Sequence, residues 1–138
     1  MSLVLDSSIT VAWLYREEAT KLVDKIFEDL AHNSAWVPSL WHLEVANVLQ
    51  TGIRRKRHTT DFRDCILSDL SDFPIYVDPE THRQAWGQTA RLAERHRLTV
   101  YDACYLELAL RRGLPLATLD EDLRSAAAAE KVPLLAVR

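Results

Sequence analysis

Short apolar runs alternate with longer amphipathic segments along this chain, and no other feature of the sequence constrains its fold as strongly. The runs typical of strands are Leu3 to Leu5, Trp36 to Pro38, Ile75 to Val77, Leu116 to Leu119 and Leu134 to Val137. Strands separated by helices pair in parallel, and their sheet needs helices on both faces. The alternation therefore predicts one three-layer α/β/α domain over residues 1–138, with a five-stranded, mainly parallel sheet.

Helical patterns fill the intervals between these strands. In Ala19 to Ala31, apolar side chains fall on one face and charged side chains on the other. The other predicted helices are Leu40 to Lys56, Asp61 to Leu70, Asp78 to about His96, Tyr101 to Arg112 and Glu121 to Lys131. Their predicted N-terminal caps include Ser39, Thr59 or Thr60, and Asp78 followed by Pro79. The helix over Tyr101 to Arg112 is apolar on nearly every side, which predicts a central position.

Glycine is scarce in this chain, and its scarcity excludes two large classes of phosphate-binding protein. Only Gly52, Gly87 and Gly113 occur in 138 residues. Loops that hold phosphate with backbone N–H groups need closely spaced glycines, so that the backbone can approach the ligand. Dinucleotide-binding folds and P-loop NTPases are therefore excluded.

The cysteines and the first residues bear on the compartment in which the protein works. Cys65 and Cys104 lie in different predicted helices, without the spacing of a zinc site or a disulfide framework. The apolar residues before Asp6 are too few for a signal peptide, and no run of about 18 apolar residues is present. We therefore expect a reduced, cytoplasmic protein that has no membrane-spanning segment.

Four acidic residues are predicted to meet at one edge of the sheet. Asp6 and Asp120 follow the first and fourth strands, while Glu44 and Asp102 lie near the starts of helices that follow strands. Ligands of open parallel sheets bind at this edge, beyond the carboxyl ends of the strands. Carboxylates gathered there repel one another unless a cation joins them, and Mg²⁺ or Mn²⁺ prefers such oxygen ligands. A metal at this place can activate water and offset the charge of a scissile phosphate.

Taken singly, Asp6, Asp102 and Asp120 also have a purely structural explanation. Asp6 can cap a short helix that ends at Leu14, and Asp102 and Asp120 can stabilise helix N-termini. Asp120 also lies in a capping-box pattern, Thr118-Leu119-Asp120-Glu121. Glu44 has apolar neighbours at helical spacing, and because an unpaired buried carboxylate is costly, it calls for a metal or another cation. The joint occurrence of the four acids at one edge is the stronger argument for a site.

These motifs resemble those of the PIN-domain ribonucleases, and within them the small VapC toxins of bacterial and archaeal toxin–antitoxin pairs. The likeness spans the chain. Its motifs are Leu5-Asp6-Ser7-Ser8, Glu44-Val45-Ala46-Asn47-Val48-Leu49, Tyr101-Asp102-Ala103-Cys104-Tyr105-Leu106 and Leu116-Ala117-Thr118-Leu119-Asp120. The resemblance implies a PIN-like fold and a metal-dependent endoribonuclease whose products carry a 5′-phosphate and a 3′-hydroxyl.

The resemblance also assigns roles to individual residues. It implies that the four acids ligate Mg²⁺ or Mn²⁺ directly or through water, and that hydrogen-bonding residues support them. These supporting residues are Ser7, Thr118 and Asn47, and Asp122 is a candidate extra acid, for which a solvated position in a helix start is the alternative. The resemblance further implies a homodimer and a small antitoxin whose tail, often with an arginine, enters the active-site groove.

Basic residues supply candidate contacts to RNA or to the antitoxin. The densest cluster is Arg54, Arg55, Lys56 and Arg57, at the end of the helix that carries Glu44. Two smaller groups are Arg91, Arg95, His96 and Arg97, and Arg111 with Arg112. Cations near helix C-termini also complement the helix dipole, so a purely solvating role is the alternative.

Two other function classes stay open at this stage. An aspartyl-phosphate phosphatase or receiver-like domain also uses acids at strand ends, but the D-x-D pattern of such phosphatases is absent because Ser7 and Ser8 follow Asp6. A non-catalytic PIN-like module for RNA or protein binding is the other alternative, although all four acids are present. The formal charge of −3 argues against binding nucleic acid by overall charge alone.

Overall fold

Five parallel strands form one sheet in the computed structural model, which describes residues 2–135. The strands are β1 (Leu3–Leu5), β2 (Ala35–Val37), β3 (Ile75–Val77), β4 (Leu116–Ala117) and β5 (Leu134–Leu135). Their order across the sheet is β3-β2-β1-β4-β5, so β1 is central and Val4 pairs with both Trp36 and Leu116. The predicted five-stranded parallel sheet is confirmed.

Helices connect these strands and cover the sheet. They are α1 (Ser7–Leu14), α2 (Lys21–Leu30), α3 (Leu40–Arg54), α4 (Thr60–Ser71), α5 (Thr81–Gln84), α6 (Ala90–His96), α7 (Val100–Arg112) and α8 (Glu121–Ala129). A short 3₁₀ helix spans Arg16–Glu18, between α1 and α2. Parallel crossovers are right-handed, so reversal of the strand order at β1 places the later helices on the opposite face from the earlier ones. The α/β architecture agrees with the prediction.

The strand order reverses between β1 and β4, and this position organises the rest of the molecule. Helix α7 packs on β1 and on β4, and each of its residues from Ala103 to Ala109 is buried. The helix ends at Gly113, which adopts a left-handed conformation with φ of 64°. The central position predicted for this helix is thus confirmed. Its first turn, which carries Asp102, lies at the edge of the sheet where β1 and β4 end.

Strand β4 is shorter than predicted. Strand β4 ends at Ala117 rather than at Leu119, because the chain turns at Thr118, whose hydroxyl accepts a hydrogen bond from the Asp120 N–H at 3.1 Å. Strand β5 covers Leu134–Leu135, and residues 136 and 137 of the predicted strand lie outside the described residues.

The segment after β3 departs most from the prediction. Asp78 is not the N-terminal cap of a continuous helix to His96: α5 begins at Thr81, with Glu80 at its cap position. A π-helical segment, Ala85–Thr89, then separates α5 from α6, and its Gly87 has non-helical backbone angles. The Asp78 carboxylate still accepts hydrogen bonds from the Glu80 N–H at 3.3 Å and the Thr81 hydroxyl at 2.7 Å, but it is shared with two arginines of α7, described below, and the helix begins three residues later.

Local capping predictions met mixed outcomes. Thr59 caps α4 by accepting a hydrogen bond from the Phe62 N–H, as predicted. Ser39 precedes α3 but makes no capping hydrogen bond, because its backbone is already helical. The last helix ends at Ala129 rather than at Lys131. Across residues 2–135, no helix has both the length and the apolar character needed to span a membrane.

Candidate active site

Asp6 lies at the carboxyl end of the central strand and is buried, with only 4% of its surface exposed. Its Oδ2 atom accepts hydrogen bonds from the Ser8 hydroxyl at 2.6 Å and from the Thr118 hydroxyl at 2.7 Å. Asp6 occupies the cap position of α1, but its side chain makes no capping hydrogen bond. The carboxylate is held by the hydroxyl groups of Ser8, in the first turn of α1, and of Thr118, in the loop after β4.

Ser8 connects the start of α1 to the loop after β4, and it was not identified as a site residue from the sequence. Besides donating to Asp6, its hydroxyl accepts a hydrogen bond from the Leu119 N–H at 2.9 Å. The motif Leu5-Asp6-Ser7-Ser8 contains two serines, and only the turn of α1 decides which of them reaches Asp6. Ser7, the serine predicted to support the site, interacts with Glu44, and Ser8 is an additional supporting residue that the sequence did not single out.

Glu44 lies on the second turn of α3 and is half-buried. Its Oε1 atom accepts a hydrogen bond from the hydroxyl of Tyr105 at 2.5 Å. Tyr105 is fully buried in α7, and burial, followed by its bond to Glu44, raises the pKa of this phenol far above its ordinary value. The phenol therefore stays protonated and donates at every pH at which the protein is folded. Tyr105 is a second residue that the sequence did not reveal.

The remaining two acids lie at helix starts, as predicted. Asp102 is in the first turn of α7, whose cap Thr99 accepts a hydrogen bond from the Asp102 N–H. Asp120 caps α8, since its Oδ2 atom accepts a hydrogen bond from the Leu123 N–H at 2.8 Å. The capping role expected of Asp120 is thus present, and Asp120 also lines the groove described below.

These carboxylates share one electrostatic environment. Burial raises the pKa of Asp6, and the charge of Asp120 raises it further. Burial likewise raises the pKa of Glu44, with added repulsion from Asp6 and Asp102, while hydrogen bonds from Tyr105 and Ser7 oppose the increase. A bound cation is the kind of group that relieves such repulsion.

Asp102 takes part in the same repulsion. Its pKa is raised first by burial and then by the charges of Asp6 and Asp120, with Asp122 making a smaller contribution. Asp122 lies in the first turn of α8. It therefore acts on the site electrostatically from its rim.

The acids open into a groove of about 470 Å³ at the edge of the sheet. Its lining residues are Asp6, Ser7, Ser8, Val11, Ala12, Glu18, Asp102, Leu119 and Asp120. Glu44 does not line this carboxylate groove, although its charge acts on the site. Glu18, from the 3₁₀ helix, does line it and was not predicted as a site residue.

The acidic side chains of the site offer oxygen donors to a divalent cation. Within residues 2–135, no three Asp, Glu, His or Cys side chains lie close enough together to form a ready-made metal-binding cluster. Mg²⁺ does not require one, because it usually binds through one or two carboxylates and keeps several waters. Oxygen donors, the burial of Asp6 and the repulsion among the acids all fit such a hydrated cation.

Asn47, expected to support the acids, lies elsewhere. It is exposed on α3 and lines a second groove of about 400 Å³. The other lining residues of this second groove are Val11, Tyr15, Glu18, Val48, Thr51, Gly52, Arg55 and Arg57. Val11 and Glu18 line both grooves, so the two grooves adjoin.

The four residues of the basic cluster have different environments. Arg57 donates to Glu17 at 2.6 Å and to Glu18 at 2.8 Å, and its guanidinium lies 3.5 Å from the centre of the Tyr15 ring. Arg54 and Lys56 do not line the second groove, whereas Arg55 and Arg57 do.

The two smaller basic groups have partners within the fold. Arg111 and Arg112 both donate to Asp78, and Arg111 also donates to Glu107. In the other group, Arg95 and His96 contact Glu130, the residue that follows α8. Arg111 and Arg112 therefore serve the interior of the protein.

The chain is similar to known proteins over most of its length. The family model described as "PIN domain" matches residues 3–129. Ribonuclease VapC3 from Pyrobaculum aerophilum is 31% identical over 135 residues, which cover 98% of each chain. Its sequence similarity therefore extends over both grooves.

Solved structures share the fold. PAE2754 from Pyrobaculum aerophilum aligns with a TM-score of 0.65 at 25% identity, over 91% of this chain and 87% of the other. VapBC2 from Rickettsia felis, crystallised with a DNA fragment from their promoter, gives a TM-score of 0.67 at 14% identity over 97% of both chains. FitAcB from Neisseria gonorrhoeae gives 0.57 at 17% identity, over 98% of this chain and 96% of the other. The last two likenesses concern the fold alone.

Proposed function

This chain belongs to the PIN-domain family, and from that premise we propose that it is a divalent-metal-dependent endoribonuclease, the toxin of a toxin–antitoxin pair. The observation that carries the proposal is the buried Asp6 at the point where the strand order reverses, facing a groove shared with Asp102 and Asp120. The similarity to a protein named ribonuclease supports RNA as the substrate. Family membership also removes the phosphatase and receiver-like alternatives.

Asp6, Glu44, Asp102 and Asp120 are the residues that would hold Mg²⁺ or Mn²⁺, directly or through water. The bound ion would supply a water of lowered pKa and positive charge against the scissile phosphate. The protein's own contribution is orientation. Ser8 and Thr118 hold one oxygen of Asp6, and Tyr105 holds one oxygen of Glu44, so that the remaining oxygens face the cation.

Hydrolysis at this site breaks the bond between phosphorus and the 3′ oxygen. Water adds to phosphorus, and the products carry a 5′-phosphate and a 3′-hydroxyl. The electronegative groove disfavours an unaccompanied phosphate, so RNA binding and cation binding depend on each other. Ser7, which opposes the rise in the Glu44 pKa, and Asp122, at the rim, adjust this electrostatic balance.

The partners proposed with this function are a small protein antitoxin and a second copy of the chain. An arginine on an antitoxin tail would complement the carboxylate groove, because its guanidinium pairs with carboxylates in a bidentate manner. The place of action that fits such a toxin is the cytoplasm.

The decisive experiment maps the products of total RNA incubated with the purified protein, with and without Mg²⁺. We expect cleavage only with the metal, and we expect Asp6→Asn and Asp102→Asn each to abolish it while the protein stays folded. Asp69→Asn is the matched control, since Asp69 is exposed on α4. Full activity in a folded Asp6→Asn protein would contradict the proposal, and inactivity of the wild type would favour a non-catalytic binding module.

A further inference from the structure

The second groove, which contains Asn47 and Arg55, adjoins the carboxylate groove. Val11 and Glu18 line both, so a polymer bound at the acids can extend along α1 toward the second groove. At about 400 Å³, the second groove is comparable in size to the carboxylate groove, at about 470 Å³. It lies next to the acids, where the neighbouring unit of a polymer bound at the acids would sit.

One face of α3 supplies polar groups to this groove. Asn47 and Thr51 are one helical turn apart, and Arg55 follows one turn later, at the residue that caps α3. All three line the groove. The face therefore presents an amide, a hydroxyl and a guanidinium in a row that leads away from the acids.

The two arginines of the groove differ in how far their charge is already offset. Arg57 is bound to Glu17 and Glu18, and its guanidinium covers the Tyr15 ring. Arg55 is exposed, and the described residues, 2–135, give its side chain no ion pair. The cation available to an incoming anion is therefore that of Arg55, and the face of Tyr15 is not available for stacking on a base.

We propose that the second groove binds the nucleotide next to the scissile phosphate of single-stranded RNA, with Arg55 on a backbone phosphate and Asn47 on a base edge. This inference rests on the proposed function. A guanidinium and an amide on one polar face suit a phosphate and a base edge, and a base reaches such a groove only when it is unpaired.

The test measures binding of a short, labelled single-stranded RNA in Mg²⁺, with phosphorothioate linkages that keep the backbone charge and slow cleavage. Arg55→Ala is compared with Arg54→Ala, which removes the same charge from the adjacent residue, whose side chain does not line the groove and reaches it only through a hydrogen bond to Thr51. We expect Arg55→Ala to weaken binding about fivefold at low salt and to reduce the dependence of log affinity on log salt by about 0.7. Arg54→Ala should change both quantities much less.

Asn47→Ala provides an independent reading of the base contact. We expect it to reduce the difference in affinity among single-stranded oligomers of U, C and A while it leaves the salt dependence unchanged. A duplex of the same sequence should bind more weakly than the single strand, and Arg55→Ala should affect it no more than Arg54→Ala does. Circular dichroism of each variant confirms that these exposed substitutions leave the fold intact.

Equal binding by the Arg55→Ala and Arg54→Ala proteins would overturn the inference and leave the groove to a protein partner. The inference would also be overturned if the Arg55→Ala substitution weakened binding of the duplex as much as binding of the single strand. These outcomes are distinct from failure of the proposed function, because wild-type protein that cleaves RNA with Mg²⁺ retains that function whatever the result at Arg55.

Discussion

The Tyr105 hydroxyl fixes one carboxylate of the proposed site from inside the core. Tyr105 is fully buried in α7, and its bond to the Glu44 Oε1 atom spans two helices that carry different acids. A buried phenol with a partner of this kind cannot rotate away without leaving two polar atoms unpaired. Tyr105 therefore holds Glu44 at a set position relative to Asp102.

Tyr105→Phe tests this positioning while keeping the aromatic packing. We expect a loss of about 10-fold to 100-fold in Mn²⁺ affinity, as is typical when a group that orients a metal ligand is removed. Isothermal titration of metal-free protein measures it. Tyr15→Phe is the matched control, because Tyr15 is also buried but its hydroxyl bonds to His58, outside the carboxylate groove.

An unchanged Mn²⁺ affinity in a folded Tyr105→Phe protein would show that Glu44 does not depend on this bond. A loss of equal size in Tyr15→Phe would show instead that removal of any buried hydroxyl loosens the fold. Comparison of the two variants thus separates orientation of Glu44 from general packing.

Residues of the site were predictable to the extent that their positions follow from local patterns. Asp6 and Asp120 follow strands and Asp102 starts a helix, and each feature is visible within a few residues of sequence. The partner of Glu44 lies 61 residues away, and the choice of Ser8 over Ser7 depends on the turn of α1. Pairings of that kind arise only from tertiary packing.

At the scale of elements, Asp78 fastens the edge strand β3 to helix α7. Its carboxylate has no exposed surface and accepts hydrogen bonds from Arg111 and Arg112, while the guanidinium of Arg112 lies 3.6 Å from the centre of the Trp36 ring. Although burial alone acts in the opposite direction, these arginines and Thr81 hold the pKa of Asp78 well below its usual range. The same helix presents Asp102 at the opposite end.

Asp78→Asn should therefore destabilise the protein. We expect the free energy of unfolding at neutral pH to fall by about 3 kcal/mol, because two partly buried arginines lose their shared partner. Because the folded pKa is depressed, the stabilisation is present above the ordinary carboxyl pKa of about 4 and is lost as pH falls below it. Urea denaturation at pH 7 and near pH 3 measures both effects.

The difference between wild type and Asp78→Asn should shrink at the lower pH. A difference that stays constant would mean that Asp78 acts through packing or through hydrogen bonds that survive protonation. Asp69→Asn, which removes an exposed acid from α4, should stay close to wild type at both pH values.

The elements show why Asp78 was misassigned from sequence. An acid followed by proline is typical of a helix start, and nothing nearby indicates otherwise. The competing partners, Arg111 and Arg112, come 33 and 34 residues later in the chain. By contrast, the strands and the central helix were predictable because their burial is written in consecutive apolar residues.

At the scale of the whole molecule, the acidic residues behind the formal charge of −3 are not spread evenly over the chain. Four of the 20 acidic residues gather at one edge of the sheet, so the rest of the chain is slightly basic. The native state without metal therefore carries a local repulsion that the unfolded chain does not. Stability should depend on the cation accordingly.

We expect Mn²⁺ to raise the melting temperature of the wild type relative to EDTA at pH 7. The gain corresponds to about 2.7 kcal/mol when free metal is 100-fold above its dissociation constant. In EDTA the raised pKa values of Asp6, Glu44 and Asp102 imply that stability falls as pH rises through them. Differential scanning calorimetry measures both trends.

Asp6→Asn should lose the response to Mn²⁺ without losing stability in EDTA, since an uncharged side chain at this buried position costs less. A variant less stable than the wild type in EDTA would indicate that the Asp6 charge serves the fold. An unaltered response to Mn²⁺ would place the metal elsewhere.

The hydrogen bonds from Ser8 and Thr118 to Asp6 also set the moment at which this site comes into being during protein synthesis. Thr118 is 112 residues from Asp6, and Asp120 follows it. A ribosome that has made β1, α1 and α3 has produced Asp6 and Glu44, but not the strand and loop that complete their surroundings. A nascent chain that ends before Thr118 therefore lacks one of the two hydroxyl groups that hold Asp6, and it also lacks Asp120, so the groove is assembled only after β4 and the loop that follows it have been made.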